Sequence, residues 1–357
     1  MLTPKQRVLK ALRFEAVDRV PFTTYQGFAP QCAAERELRN RGMCLKRGAG
    51  VFSTIRPDVK ESLHYYDEGG KHLLRILFET PVGTLSMLKE PAESTTWIHE
   101  RMFKSPDDFK AIRFLIENER YEPAYEGFAA AEEAAGEDVF VHAGVGPEPL
   151  QTLVSGDFFS MEDFCIQWMD NRDEMLKLHD ALARQCRKTF PIVADSPALF
   201  LHVGGNVTPE ITGPKDFEKY YLPYYAEAHA ALAPKGKIVC SHLDANCGNL
   251  RGLIARSKLD CIEAFSPAPM TDMTLGEARA AWPDKVLWLN FPSQVHLRPD
   301  DEVERFTVEM LNQVDRVEGI LVGITENVPA HRWQGSFKAI MDGLDRHARE
   351  NPRLYRS

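Results

Sequence analysis

From residue 139 onward, short apolar runs recur with an amphipathic helical segment between most of them. The runs are Val139–Ala143, Leu199–Val203, Lys237–His242, Asp260–Phe265, Val286–Phe291 and Gly319–Ile324. The helical segments cover 161–189, 215–233, 247–257, 274–282 and 300–316. The last four runs start at 237, 260, 286 and 319, spacings of 23, 26 and 33 residues, each one strand plus one helix. Strand–helix alternation implies a parallel sheet. The glycine-bearing strand ends, GVGPEP and VGGNVTP, fit neither a dinucleotide fingerprint nor a phosphate loop. The expected fold is therefore α/β, a single (β/α)8 TIM barrel, with residues 1–357 as one domain.

Ahead of the regular pattern lies an N-terminal helical and loop extension. Thr3 suits an N-cap, Pro4 the first helical position and Gln6 the reciprocal cap, so a helix starts there and ends before Asp18. Val20–Tyr25 is short and β-prone, and Gly42, Gly48, Gly50, Pro57, Gly69 and Gly70 make 40–70 read as a long loop. Leu73–Lys89 reads as a β-hairpin insertion turning at Pro81-Val82-Gly83, and 105–135 as helical.

Charge narrows the function classes. With 43 Lys+Arg against 52 Asp+Glu the net charge is −9, a poor match to nucleic acid or an anionic membrane. No stretch reaches the roughly 18 apolar residues of a membrane span, and the N-terminus lacks the apolar core of a signal peptide. The seven cysteines are an odd number, scattered, without a CxxC pair, so a disulfide framework is not expected and the setting reads as cytoplasmic.

In a barrel of this type chemistry sits at the C-terminal ends of the strands. Those ends carry Tyr25 and Gln26, then His142, His202 with Asn206, His242 with Asp244 and Asn246, Glu263, Asn290 with Gln294, and Thr325, Glu326 and Asn327. His242 and Asp244, two apart, lie on one side of an extended chain and can grip one ion. Glu263 and Glu326 come from the ends of two later strands, which on a closed barrel can approach a common centre. One histidine with two or three carboxylates suits a divalent ion, zinc being the commonest. Against this, a His-x-Asp pair can simply hydrogen-bond locally. Cys240, Cys247 and Cys261 read as small buried residues, and Trp97, Trp168 and Trp333 as packing. No Gly-x-Ser-x-Gly elbow or Cys/His nucleophile arrangement is visible.

The opening TPKQRVLKALRFEAVDRVPF, the helix DFEKYYLPYYAEAHAAL followed by KGKIVCSH, and the terminal GITENVPAHRWQGSFKAIMDGL resemble the uroporphyrinogen decarboxylase superfamily over nearly the whole chain. The resemblance implies a distorted (β/α)8 barrel and one of two chemistries, cofactor-free decarboxylation or zinc-dependent, corrinoid (cobalamin) methyl transfer. The decarboxylase branch carries an Arg-Gln-Ala-Gly-Arg motif after its first strand; here the stretch is VPFTTYQGFAP, without an arginine. The methyltransferase branch carries His-x-Cys, then a glutamate, then a final Cys. His242 and Glu263 match, Asp244 stands in place of the first Cys, and the Glu326 region in place of the last. The block from HLDAN to GITENVPAHRW is similar to demethylating methyltransferases of methoxylated aromatics.

The resemblance thus implies an O-demethylase component. Zinc would be held by His242, Asp244 and Glu326, with Glu263 as a fourth ligand able to leave, and the methyl acceptor would be cobalt(I) of a corrinoid carried by a separate protein. His142 and His202 would orient a small methoxylated substrate or protonate the leaving phenolate, with Tyr25, Asn206 and Asn290 lining its site and Glu263 joining the chemistry. A homodimer is compatible with the sequence. The rival readings are a cofactor-free uroporphyrinogen-type decarboxylase, transfer in the opposite sense from methyl-corrinoid to a thiol or folate, and a barrel kept only as a binding subunit.

Overall fold

A computed structural model describes residues 2–92 and 95–355. Its contacts divide the chain into two compact units, one made of Met1–Val51, Ala124–Gly146 and Val193–Ser357, the other of Phe52–Pro123 and Pro147–Ile192.

The first unit holds the barrel. Its eight strands are β1 (Phe22–Tyr25), β2 (Met43–Gly48), β3 (Val139–Gly144), β4 (Phe200–Gly205), β5 (Ile238–His242), β6 (Cys261–Phe265), β7 (Val286–Asn290) and β8 (Ile320–Ile324). All neighbours pair in parallel, and β8 returns to β1 to close the ring. Six of these strands fall on the apolar runs named above, and β1 falls on the β-prone Val20–Tyr25. The eighth, β2, lies inside the segment read as loop, which is a correction. Residues 40–70 also contain strands Phe52–Ile55 and Lys60–Glu68. The glycines there separate strands instead of dissolving them: Gly42 turns into β2 with φ of 110°, a conformation that costs glycine little.

Side chains two apart on a strand share a face, and the barrel interior is layered accordingly. Cys44, Phe140, Phe200, Cys240, Cys261, Val286 and Leu321 form one buried cluster. Val8, Ala11 and Leu12 of the first helix, Pro4–Leu12, join that cluster, so this helix plugs the barrel end below it. The helix has the expected cap, with Thr3 accepting from the Gln6 backbone and the Gln6 side chain answering. Two residues further along the same strands, the layer becomes polar: Lys46, His142, His202, His242 and Glu263. Cys240 and Cys261 are indeed buried, and burial pushes both thiols well above their ordinary range.

The second unit contains an antiparallel pair, Phe52–Ile55 with Arg120–Pro123, and a four-stranded antiparallel sheet. The hairpin expected at 73–89 is the centre of that sheet, strands Lys71–Thr80 and Gly83–Pro91, flanked by Lys60–Glu68 and Thr96–Glu100. Gly69 and Gly70, both at positive φ, make the two-residue turn between the first two strands. Trp97 is 62% exposed on an edge strand, which corrects its assignment to packing, whereas Trp168 and Trp333 are buried. No helix among the described residues is long and apolar enough to cross a membrane.

Candidate functional site

The polar layer is built around Glu263, which is fully buried at the end of β6. Its register partner on β5 is His242, and the His242 Nδ1 lies 2.6 Å from Glu263 Oε2. Oε1 accepts from the Tyr25 hydroxyl at 2.8 Å and from the Lys46 ammonium at 2.5 Å. A one-residue register shift follows Glu263, with Ala264 at a φ of 59°. Such a bulge bends the strand and re-aims the side chains beside it.

Burial alone would raise the Glu263 carboxyl. The charges of Lys46 and His242 overcome it and hold the group well below the usual carboxylate range. Burial likewise pushes His242 down, but Glu263 and Asp244 outweigh it and lift the imidazole to about 10. Tyr25 is driven upward by burial and by the Glu263 charge, so its hydroxyl stays protonated as a donor.

Lys46 is the functional side chain that sequence reasoning missed. Its ammonium also donates to His202 Nε2 at 3.0 Å, which makes that nitrogen the acceptor and assigns the His202 proton to Nδ1. The rings of Trp288 and Tyr25 face the ammonium at 4.7 and 4.8 Å. Burial, with Lys46 nearby, lowers His202 well below its ordinary value and His142 to about 3, so both rings are neutral at physiological pH. The two are in ring contact at 4.7 Å, and the buried His142 Nδ1 makes no hydrogen bond. The signal for Lys46 was present. Read as a strand, Met43–Gly48 puts Cys44 and Lys46 on one face.

The mouth of the barrel lies above this layer. His242 Nε2 and Asp244 Oδ2 are 3.4 Å apart, and Asp244 is partly exposed. Two donors gripping one zinc tetrahedrally, at bonds of about 2.0–2.1 Å, sit about 3.3 Å apart, so this pair fits a divalent ion. Among the described residues, no group of three His, Cys, Asp or Glu side chains is gathered as a metal site. Glu326 accepts from Ser293. Asn290 donates to Ser266 at 3.1 Å, and its carbonyl takes the Thr325 backbone N–H at 3.1 Å. Asn206 is exposed at the mouth with a φ of 54°. Of the residues singled out from sequence, Tyr25, His242, Asp244 and Glu263 are thus joined in one network, which reaches His202 through Lys46 and His142 through His202. Asn206, Asn290 and Glu326 stand apart from it.

No protein-family profile matches the chain. No curated protein matches it in sequence. In fold it is similar to a methyltransferase from Methanosarcina mazei, at 12% identity and a TM-score of 0.59, over 97% of this chain and 99% of that one. It also aligns with the pneumococcal exo-beta-D-N-acetylglucosaminidase StrH, at 11% identity and a TM-score of 0.39, over 98% of this chain and 87% of that one.

Proposed function

We propose that this barrel is a zinc-dependent methyltransferase that moves a methyl group from a methoxylated, aromatic donor to the cobalt(I) corrinoid of a separate protein. The observation that carries the reading is the His242 Nε2–Asp244 Oδ2 pair, 3.4 Å apart at the barrel mouth and backed by a buried carboxylate on the other ring nitrogen. A histidine so backed is the common arrangement of a metal ligand. The fold likeness to a methyltransferase over nearly the whole chain is in keeping with it.

In the reaction the methyl–oxygen bond breaks, the electron pair stays on the donor oxygen, and the methyl group passes to the corrinoid. When bound, zinc supplies a Lewis acid for that oxygen. His242 and Asp244 would hold it, with Glu326, which follows β8, proposed as a third donor. Neutral His142 and His202 orient the donor. Tyr25 closes the floor, and Asn206 and Asn290 line the sides. Much of the rate then comes from alignment and a dry floor.

The test is metal analysis of untagged protein beside Asp244→Ala, followed by incubation with methoxybenzoates and a reduced corrinoid protein. The expected result is about one zinc per chain, lost in the variant, and donor-dependent methylation of the corrinoid that chelators abolish. Wild-type protein that takes up no zinc when it is supplied, or activity indifferent to chelators, overturns the reading.

A further inference from the structure

We infer that Lys46 is a positioning residue: it holds Glu263 as a fixed anion behind His242, keeping that carboxylate out of the metal's ligand set and fixing the His242 ring with Nε2 toward Asp244. The inference rests on the metal-binding reading above and adds a division of labour between the two carboxylates beside His242.

The geometry is specific. A carboxylate oxygen has two lone pairs, and both of those on Glu263 Oε1 are taken, by Lys46 at 2.5 Å and Tyr25 at 2.8 Å. Oε2 is turned to His242 Nδ1. Oε2 keeps one lone pair, but an ion at Nε2 lies across the imidazole from it, so to ligate that ion Glu263 would have to leave donors that come from three different strands. Lys46 has no second carboxylate to turn to, because among the described residues Glu263 is its one ion-pair partner. The aromatic faces of Trp288 and Tyr25 enclose the rest of the ammonium. With Nδ1 committed to a fixed acceptor, the lone pair a metal needs is presented at Nε2, on the Asp244 side. Asp244, partly exposed and outside the Lys46 cluster, is the carboxylate left for the ion.

Cobalt(II) replacement reads this directly, because its visible ligand-field absorption reports which atoms surround the ion and does not respond to loss of stability. The full chain is compared with Glu263→Gln, Lys46→Met, Lys46→Met/Glu263→Gln and Asp244→Ala. Glu263→Gln is expected to keep the wild-type band and to weaken cobalt binding about 10–100-fold, as loss of an orienting partner does. Asp244→Ala should lose the band. Lys46→Met should shift it and tighten binding, as the released Glu263 joins the ion. If that variant does not fold, the double variant, with no buried charge left unpaired, should again show the wild-type band.

A changed band with binding weakened beyond about 1000-fold in Glu263→Gln, well past an orienting role, makes Glu263 a ligand and overturns the inference while the metal reading stands. A Lys46→Met band identical to wild type overturns the exclusion of Glu263 by Lys46. Wild-type protein that binds no cobalt removes the metal reading and this inference with it.

Discussion

Removing Lys46 alone should cost more stability than removing Lys46 and the Glu263 charge together. Lys46 and Glu263 side chains are 1% and 0% exposed, so neither ion can be rescued by solvent. Breaking a buried pair from one side typically costs about 3–5 kcal/mol, whereas replacing both partners with neutral groups of similar shape is close to neutral. Glu263 keeps two donors after Lys46→Met, Tyr25 and His242, which places the loss near the lower figure, about 3 kcal/mol. His202 Nε2 also loses its donor, an unsatisfied buried acceptor worth about 1–3 kcal/mol. A total of about 4 kcal/mol is expected for Lys46→Met, on the order of 8 °C in Tm at roughly 2 °C per kcal/mol for a chain this long. The double variant Lys46→Met/Glu263→Gln keeps the His202 loss but relieves the unpaired anion, and should recover about 2 kcal/mol of it. Thermal unfolding of metal-free wild type, both single variants and the double variant measures the cycle. If the single losses simply add to the double, within about 0.5 kcal/mol, the two charges are not coupled and the reasoning about the buried pair is wrong.

Other consequences are simpler to check. Acid should weaken the fold above the range where carboxylates titrate. Burial lowers His142 to about 3 and His296 to about 4, against about 6.5 when unfolded. As pH falls below 6.5 the unfolded chain binds protons that these rings refuse, and stability falls by up to about 1.4 kcal/mol per pH unit for each. His242, raised to about 10, is protonated in both states in that window and does not offset the loss. Urea midpoints between about pH 7 and pH 5 should therefore drop, and less steeply in His296→Asn; an unchanged slope in that variant removes His296 from the account. Gly323→Ala places a methyl 2.7 Å from the Leu289 carbonyl and 3.1 Å from both Thr23 Oγ1 and Trp288 Nε1, so a loss of about 3 kcal/mol is expected from overpacking, and a wild-type melting curve refutes it. Thr3→Ala removes the cap of the plugging helix and should cost about 1 kcal/mol by urea denaturation.

What could be read from the sequence followed the apolar period. Six barrel strands are buried on both faces, as parallel strands must be, and so appear as continuous apolar runs with a polar residue at the end. β2 is built the same way, yet its inward residue at the end of the run is a lysine followed by an arginine and a glycine. Hydropathy counts such a run as loop, although Lys46 is buried because it has partners, not because it is apolar. The strand Lys60–Glu68 was missed for the opposite reason. Nearly all its side chains are exposed on both faces, so alternation gave no signal, and only the Gly69-Gly70 turn betrays it. Trp97 shows the limit of treating a tryptophan as core wherever it occurs.

The site divides along the same line. The spacing of His242 and Asp244 pointed to both on one side of the chain, and although β5 ends at His242 the two lie 3.4 Å apart. Nothing in the spacing could say which carboxylate takes which imidazole nitrogen. That is decided by the register of β5 on β6, which sets His242 opposite Glu263, and by the bulge at Ala264, which bends β6 just past the carboxylate. A second register shift, between His202 and Gly205, lies on the strand that supplies the Lys46 acceptor. Both irregularities occur where a regular strand would carry its alternation onward, and both fall in the polar layer. The apolar layer beneath, with its helix plug, has the regular pairing of Cys240 with Cys261 and of Cys261 with Val286. The regular part of this barrel is therefore the part a period can predict. The register shifts begin only past Glu263 and His202, and a shift of one residue leaves no trace in composition or spacing.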